Sequence, residues 1–313
     1  MNTLREALTD YLQMRRGLGY KLHDAGLQLP RFIDLLEERR SACITNSLAL
    51  EWALLPTTVR PAEWARRLGY VRAFARYRIA MDPKTEIPPI GLLPHRSTRA
   101  KPYLYSDDEV RQLLDTALQL RTDWHWAPIY PLAMHLLLGL LATTGIRISE
   151  ALNLEIKDVN LQENLLTIRG AKLGKTRLVP IHPSTGHVLS SYLRRRAECF
   201  PCITSTSVFV NKLGKKWDQA AVHKTFYALS RQVGLRRAGD SHGPRLHDFR
   251  HRFAVRALTK WYQDGEDPAR RLPVLSTYLG HAHIADTFWY LSAWPELMTQ
   301  AMGRLEQRWG DRS

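Results

Sequence analysis

Arg147 follows a glycine in the run Thr143-Thr-Gly-Ile-Arg-Ile-Ser-Glu, and His247 and Arg250 stand three apart in Leu246-His-Asp-Phe-Arg-His. His281 precedes Tyr290 by nine positions in Leu279-Gly-His-Ala-His-Ile-Ala-Asp-Thr-Phe-Trp-Tyr, and Lys172 lies in Gly170-Ala-Lys-Leu-Gly-Lys-Thr. Two arginines can hold a phosphate by paired hydrogen bonds and offset the charge that builds in a pentavalent transition state. Histidines add donors, and one of them can exchange a proton near neutral pH. A lysine on a turn can protonate a departing alkoxide. A tyrosine is a weak nucleophile at its free pKa near 10, and cationic neighbours correct that by favouring the phenolate. No carboxylate cluster suited to a magnesium ion accompanies the set, so electrostatic work would fall to side chains. This inventory suits phosphoryl transfer by a covalent route without metal.

Taken singly, each residue has an ordinary explanation. An arginine after a glycine turn is most often structural, and a tyrosine flanked by Phe288, Trp289 and Leu291 is most often core. His247 and His251 have the i, i+4 spacing of a zinc pair, but Asp248 stands where a zincin helix carries glutamate. His281 and His283 could equally be surface residues. The functional reading rests on all of these occurring in one stretch of chain, in a workable order.

That order resembles the catalytic domain of the tyrosine recombinase (phage integrase) family. The family's pattern is an Arg in a Thr-Gly-x-Arg-x-x-Glu turn, a Lys on a β-hairpin, His-x-x-Arg, then Leu-Gly-His with a Tyr nine residues on. Arg147, Lys172, His247, Arg250, His281 and Tyr290 match it, and Glu150 matches the acidic residue that supports the first arginine. Arg177-Leu-Val-Pro-Ile matches the second hairpin strand, and counting back from it selects Lys172 over Lys175 as the catalytic lysine. The resemblance implies a site-specific recombinase that breaks and rejoins DNA through a 3′-phosphotyrosyl link on Tyr290. It further implies that Arg147, Arg250, His247 and His281 hold the phosphoryl centre, that His247 accepts the tyrosine's proton, and that Lys172 protonates the leaving 5′-oxygen. One phosphodiester replaces another, so neither ATP nor any other cofactor is implied. The implied partners are double-stranded recombination sites, a homotetramer on two such sites, and accessory recombinases or DNA-bending proteins. Integration or transposition of a mobile element is the expected setting.

Such a set needs a scaffold, and the chain divides into textures that could supply one. The expected fold is mainly α with a small β-hairpin: a helical N-terminal DNA-binding domain and a C-terminal α+β catalytic domain. Residues 1–82 read as helices without strands. Thr3 with Glu6 forms a capping signature ahead of Leu4, Leu8, Tyr11 and Leu12. Pro61 opens a helix that carries Arg66, Arg67, Arg72, Arg76 and Arg78 between Trp64, Leu68, Val71 and Phe74. The apolar set reads as core and the arginines as the outer face, either merely solvated or laid against DNA phosphates. Residues 83–102 hold five prolines with Arg99 and Lys101, too many breaks for a regular helix and the best domain boundary. This basic segment would suit a strap across a DNA backbone, and Lys175 is a further DNA-contact candidate.

Residues 103–313 form the second expected domain. Ser106 with Glu109 caps its first helix, Pro131 to Thr143 reads as a buried helix, and Leu165 to Arg169 with Arg177 to Ile181 reads as a hairpin. Pro244, Pro268, Pro273 and Pro295 are read as breaks. A tail helix at about 295–309 would pack on its own domain or dock into a neighbouring protomer, and periodicity allows both.

Bulk properties agree with a nucleic-acid partner. The 313 residues carry a net charge of +15, spread along the chain, and a basic balance of that size favours a polyanion. With 44 % apolar and 24 % charged residues, the chain reads as a folded protein of the cytoplasm, and its N-terminus lacks the apolar core of a signal peptide. Cys43, Cys199 and Cys202 are an odd set, read as reduced thiols. Three alternatives stand beside the recombinase: a type IB topoisomerase, a non-catalytic DNA-binding regulator of the same fold, and a zinc hydrolase built on the histidines.

Overall fold

In the computed structural model the described residues are 3–93, 102–121, 129–169, 176–211, 213–240, 243–293 and 302. Lys172, Lys175, Arg99 and Lys101 lie outside them, as does the expected tail helix apart from the exposed Met302. The chain divides into two compact units, residues 1–100 and 101–313.

The first unit consists of α1 (Leu4–Gly17), α2 (His23–Glu38), α3 (Asn46–Leu54) and α4 (Pro61–Arg78). Thr3 and Glu6 close a reciprocal capping box on α1, and Pro61 occupies the first turn of α4. Leu8, Tyr11, Leu29, Phe32, Trp52, Leu68, Val71 and Phe74 converge as its core. Residues 83–93 have no regular structure but are tied to this unit. Arg72 donates to the carbonyls of Pro88 (2.7 Å) and Pro89 (2.8 Å), and the Glu86 amide bonds the Ile44 carbonyl.

The arginines of α4 do not form one outer face. Arg67 is buried, donates to the Trp52 carbonyl at 2.7 Å and stacks its guanidinium on the Trp52 ring at 3.8 Å. Its position beside Leu68 places it toward α2 and α3, where its long stem packs among apolar groups. Arg78 is buried as well, whereas Arg66 is exposed and paired with Asp24 and Glu63, and Arg76 is exposed. Arg67→Ala should therefore destabilise the fold. The Trp52 carbonyl loses its short, charge-assisted donor and keeps only the Leu55 amide at 3.4 Å, a loss of about 1–3 kcal/mol, and the ring loses a cation–π contact of about 0.5–1 kcal/mol. Urea unfolding of the full chain followed by tryptophan fluorescence would read this as a lower midpoint.

The second unit is built around α6 (Ile129–Thr144), which is apolar on nearly every side and therefore central. It packs against α5 (Asp107–Leu118), α8 (Pro183–Cys199) and α10 (Asp248–Gln263). Ser106 and Glu109 cap α5 reciprocally. The short α7 (Ile148–Leu152) leads into an antiparallel sheet of β1 (Val159–Asn160), β2 (Leu165–Ile168) and β3 (Arg177–Pro180), in that spatial order. Leu166 pairs with Val179 and Ile168 with Arg177 across the hairpin. β1 adds a third strand that the sequence pattern did not reveal, since two residues carry no alternation. The chain continues through α9 (Gln219–Gln232), α10, α11 (Pro268–Leu279) and α12 (Ala285–Ala293). Pro268 opens α11 as a break would, but Pro273 lies within that helix. An interior proline forfeits one backbone donor, and the burial of Leu272, Leu275 and Leu279 in a satellite core offsets the loss.

Candidate active site

The site assembles where four backbone segments end or turn. α6 stops at Thr144, and Gly145 follows with φ +62. A Cβ at Gly145 would stand 2.7 Å from Phe253 Cδ1, so both the left-handed turn and the close approach require glycine. Two residues later Arg147 occupies the N-cap position of α7. Glu150, in the first turn of that helix, accepts from the Arg147 amide (2.9 Å) and from its Nη1 (2.8 Å). One carboxylate thus caps the helix and fixes the guanidinium.

The end of α11 organises the remainder. Gly280 adopts φ +66, its amide bonds the Thr277 carbonyl, and the His281 amide bonds the Ser276 carbonyl. This is a Schellman termination, which leaves the next carbonyls without backbone donors. Three arginines from three other segments supply them. Arg177 Nε donates to Tyr278 (2.7 Å), Arg250 Nη2 to Leu279, and Arg147 Nη2 to Gly280 (3.2 Å). The negative end of the helix suits this convergence of cations. Arg250 also donates to the Gly145 carbonyl at 3.0 Å, so it braces the turn before Arg147 against the turn before His281.

Charge is unbalanced in favour of the cations. Arg147, Arg177 and Arg250 gather around Glu150, whose carboxyl is held down at about 2: its burial opposes this, and the Arg177 and Arg147 bonds and charges overcome it. Burial first, and then Arg147, lower the Arg250 pKa to about 10, which leaves it charged at neutral pH. His247 precedes α10 with its side chain exposed. The surrounding protein and then the Arg250 charge lower its pKa to about 4, so the imidazole is neutral at pH 7.

On α12, Tyr290 is 1 % exposed, with its hydroxyl 3.1 Å from His251 Nδ1. The His281 ring lies nearly parallel to the Tyr290 ring at 6.3 Å, and its Nδ1 is 2.7 Å from Thr287 Oγ1. His247 meets His251 edge-on, with centroids 4.8 Å apart. Arg147, Glu150, His247, Arg250, His281 and Tyr290 therefore belong to one connected constellation, while Lys172 falls in the part of the hairpin turn outside the described residues.

Residues 104–296 match the phage integrase family. Over its whole length the chain is 52 % identical to the integrase/recombinase y4rB of Sinorhizobium fredii, covering all of both proteins. It is 30 % identical to tyrosine recombinase XerA of Pyrococcus furiosus over 65 % of this chain and 62 % of that one. The chain belongs to the phage integrase family, the tyrosine-type site-specific recombinases. Its fold is shared with the Tn1549 transposon integrase, solved with transposon right-end DNA (TM-score 0.65, 18 % identity, 97 % of this chain and all of that one). XerH recombinase, solved in a post-cleavage complex, is also similar (TM-score 0.62, 20 % identity, 84 % and 73 % covered).

Two members of this recombinase's constellation escaped the sequence reading. His251 was visible only as a zinc-spaced partner of His247; among the described residues no three His, Cys, Asp or Glu side chains group to hold a metal ion. Arg177 was visible only as the start of a strand. Among the described helices none is long and apolar enough to cross a membrane.

The low Glu150 pKa carries a stability consequence. A carboxyl whose folded pKa lies below its unfolded value near 4.5 stabilises the fold above that value, and the contribution is lost as pH falls toward 2. The difference corresponds to about 3 kcal/mol. Glu150→Gln should be less stable than wild type at pH 7 and lose less between pH 5 and 2, as read from urea midpoints across that range.

Proposed function

We propose that Tyr290 attacks a phosphodiester of duplex DNA and that Arg147, Arg250, His247 and His281 stabilise the phosphoryl group in transfer. The observation that carries this reading is the surplus of guanidinium around one carboxylate, beside a tyrosine flanked by two histidines. A buried cluster with that surplus is prepared for an anion. In the proposed step the Tyr290 oxygen bonds to phosphorus, the bond to the 5′-oxygen breaks, and a 3′-phosphotyrosyl link forms. His247, neutral at pH 7, takes the phenol proton, and Lys172 delivers one to the leaving oxygen. A 5′-hydroxyl from a second strand reverses the sequence, so the count of phosphodiesters is unchanged and no external energy is needed.

Tyr290 is buried in the conformation described, so attack requires α12 to shift and bring the hydroxyl toward the arginines. The protein acts in the cytoplasm as a homotetramer bridging two DNA sites, with the tail helix at about 295–309 docked within its own domain or on a neighbour. Its substrates are the ends of a mobile element, a setting that suits a chain so similar to a protein named as an integrase. In the first unit the α4 side chains assigned to DNA phosphates are the exposed Arg76 and Arg66, the latter exchanging its Asp24 and Glu63 partners for a phosphate, joined by Arg99, Lys101 and Lys175 from outside the described residues. Arg67 and Arg72 are engaged within the unit.

Covalent trapping tests the reading. Full-length protein is mixed with nicked duplexes from the DNA flanking its own gene, without metal or ATP, and resolved on a denaturing gel. A retarded protein–DNA species is expected. Protein that binds these duplexes at low salt and never forms the species would count against it. The neutral His247 adds a pH signature: with DNA below saturation the adduct rate reports the free protein's base. A base must be unprotonated, so the rate should stay level from pH 8 to about 5 and fall only toward the His247 pKa of about 4. A fall centred near the ordinary histidine value of about 6.5 would remove His247 from that role.

A further inference from the structure

Arg177 heads β3, directly after the hairpin turn, yet its guanidinium points away from the sheet. Nη1 and Nη2 donate to the two oxygens of Glu150 at 3.1 and 2.7 Å, and Nε donates to the Tyr278 carbonyl at 2.7 Å. Only about a tenth of the side chain is exposed. Gly280 is shaped around it: a Cβ there would lie 2.8 Å from Arg177 Nη1 and 3.1 Å from Cζ. The same glycine's carbonyl accepts from Arg147. Arg177 therefore touches the residue that holds Arg147, the helix end that leads to His281, and the hairpin that bears Lys172.

We propose that Arg177 is a positioning residue of strand cleavage, a clamp that fixes the hairpin, Arg147 and the His281 turn as one unit. It does not contact the phosphate in this scheme; each of its three nitrogens already donates to Glu150 or Tyr278. A planar fork bonded to both oxygens of a carboxylate and to a carbonyl permits little rotation, which is the kind of constraint a preorganised site requires. The proposal rests on Arg147 acting at the scissile phosphate.

Glu150 gives the clamp a distinctive readout. It is faced by Arg147 from its own turn, Arg177 from β3 and Arg250 from α10; on α11, Tyr278, whose carbonyl accepts from Arg177, carries a phenol that burial pushes up to about 12. Without Arg177 the carboxylate keeps its burial but loses its strongest acidifying partner, so it takes up a proton at higher pH and releases Arg147. A neutral replacement should thus create an acid-side loss of activity that wild type lacks. Arg177→Lys retains a charge near Glu150 but, as a point donor, cannot span both carboxylate oxygens and the Tyr278 carbonyl.

The experiment measures single-turnover adduct formation by the full-length wild type, Arg177→Gln and Arg177→Lys on the trapping duplex from pH 5.5 to 8. DNA affinity and thermal unfolding are measured alongside. Arg177→Gln should be at least about tenfold slower at pH 7.5 and slow further toward pH 5.5, a range in which wild type stays level. Arg177→Lys should be slow at pH 7.5 with a level profile, which separates lost charge from lost geometry. Affinity for DNA should change little. Either variant, if folded and matching wild type in rate and profile, overturns the proposal. So does a lower melting temperature with the wild-type rate and profile per folded molecule, because the role is then structural alone. If Arg177→Gln fails to fold, the rate of Arg177→Lys decides. Wild type that forms no adduct would instead refute the catalytic reading on which the clamp depends.

Discussion

Tyr290→Phe should form no covalent adduct while still binding duplex DNA with affinity close to wild type. The substitution removes one oxygen, and that oxygen is the atom proposed to bond to phosphorus, so no residual rate is available through the same route. DNA binding should survive because affinity for duplex comes mainly from cations that displace counterions, and a neutral hydroxyl buried against His251 contributes nothing to that. The fold should survive too. The phenyl ring fills the same space beside His281 and His251, and the lost hydrogen bond costs about 1 kcal/mol. A denaturing gel and a mobility-shift titration on the same duplex provide both measurements. An adduct that persists in the variant would point to another nucleophile. Tyr278 is a poor substitute, since burial raises its pKa to about 12 and disfavours the phenolate.

The family and the order of its candidate site residues were legible in the sequence because the proposed chemistry needs particular side chains at short spacings, and those spacings survive as text. Arg147 with Glu150 lies within one turn of chain, as do His247 with Arg250. Capping residues were legible for the same reason: Thr3 with Glu6 and Ser106 with Glu109 are local pairs, and both form boxes. The contacts that hold the site together span long stretches of chain and left little trace. Arg250 reaches back 105 residues to Gly145 and forward 29 to Leu279, and Arg177 reaches 101 residues to Tyr278. A guanidinium aimed at a carbonyl gives no sequence signal, because every residue has a carbonyl. Arg67 illustrates the same limit in the other direction. On a helix rich in arginine its charge suggested an outer face, but proximity to Trp52 and a buried carbonyl outweighed the charge. Pro273 was misleading because a proline can remain in a helix whose apolar face is buried.

Arg250 combines both kinds of contact, and its removal should therefore damage rate and stability together. Arg250→Ala deletes a preorganised donor at the phosphoryl site, a loss that slows cleavage by at least about 100-fold where such donors have been removed. It also strands two buried carbonyls, Gly145 and Leu279, at about 1–3 kcal/mol each. In a unit of this size, each kcal/mol lowers the melting temperature by roughly 2–4 °C. Arg250→Lys separates the contributions. Its charge remains, but one ammonium cannot brace the Gly145 turn against the Leu279 turn, so part of the stability loss and most of the rate loss should persist. Both variants are to be compared with wild type by single-turnover adduct formation at a temperature where circular dichroism shows each fully folded. A folded Arg250→Ala protein that cleaves within tenfold of wild type would make Arg250 a strut only, leaving Arg147 as the guanidinium that meets the phosphate. The charge balance favours the opposite result: the side chain that orders the turns before Arg147 and before His281 is charged at neutral pH and sits where guanidinium outnumbers carboxylate, the arrangement proposed to receive a phosphate.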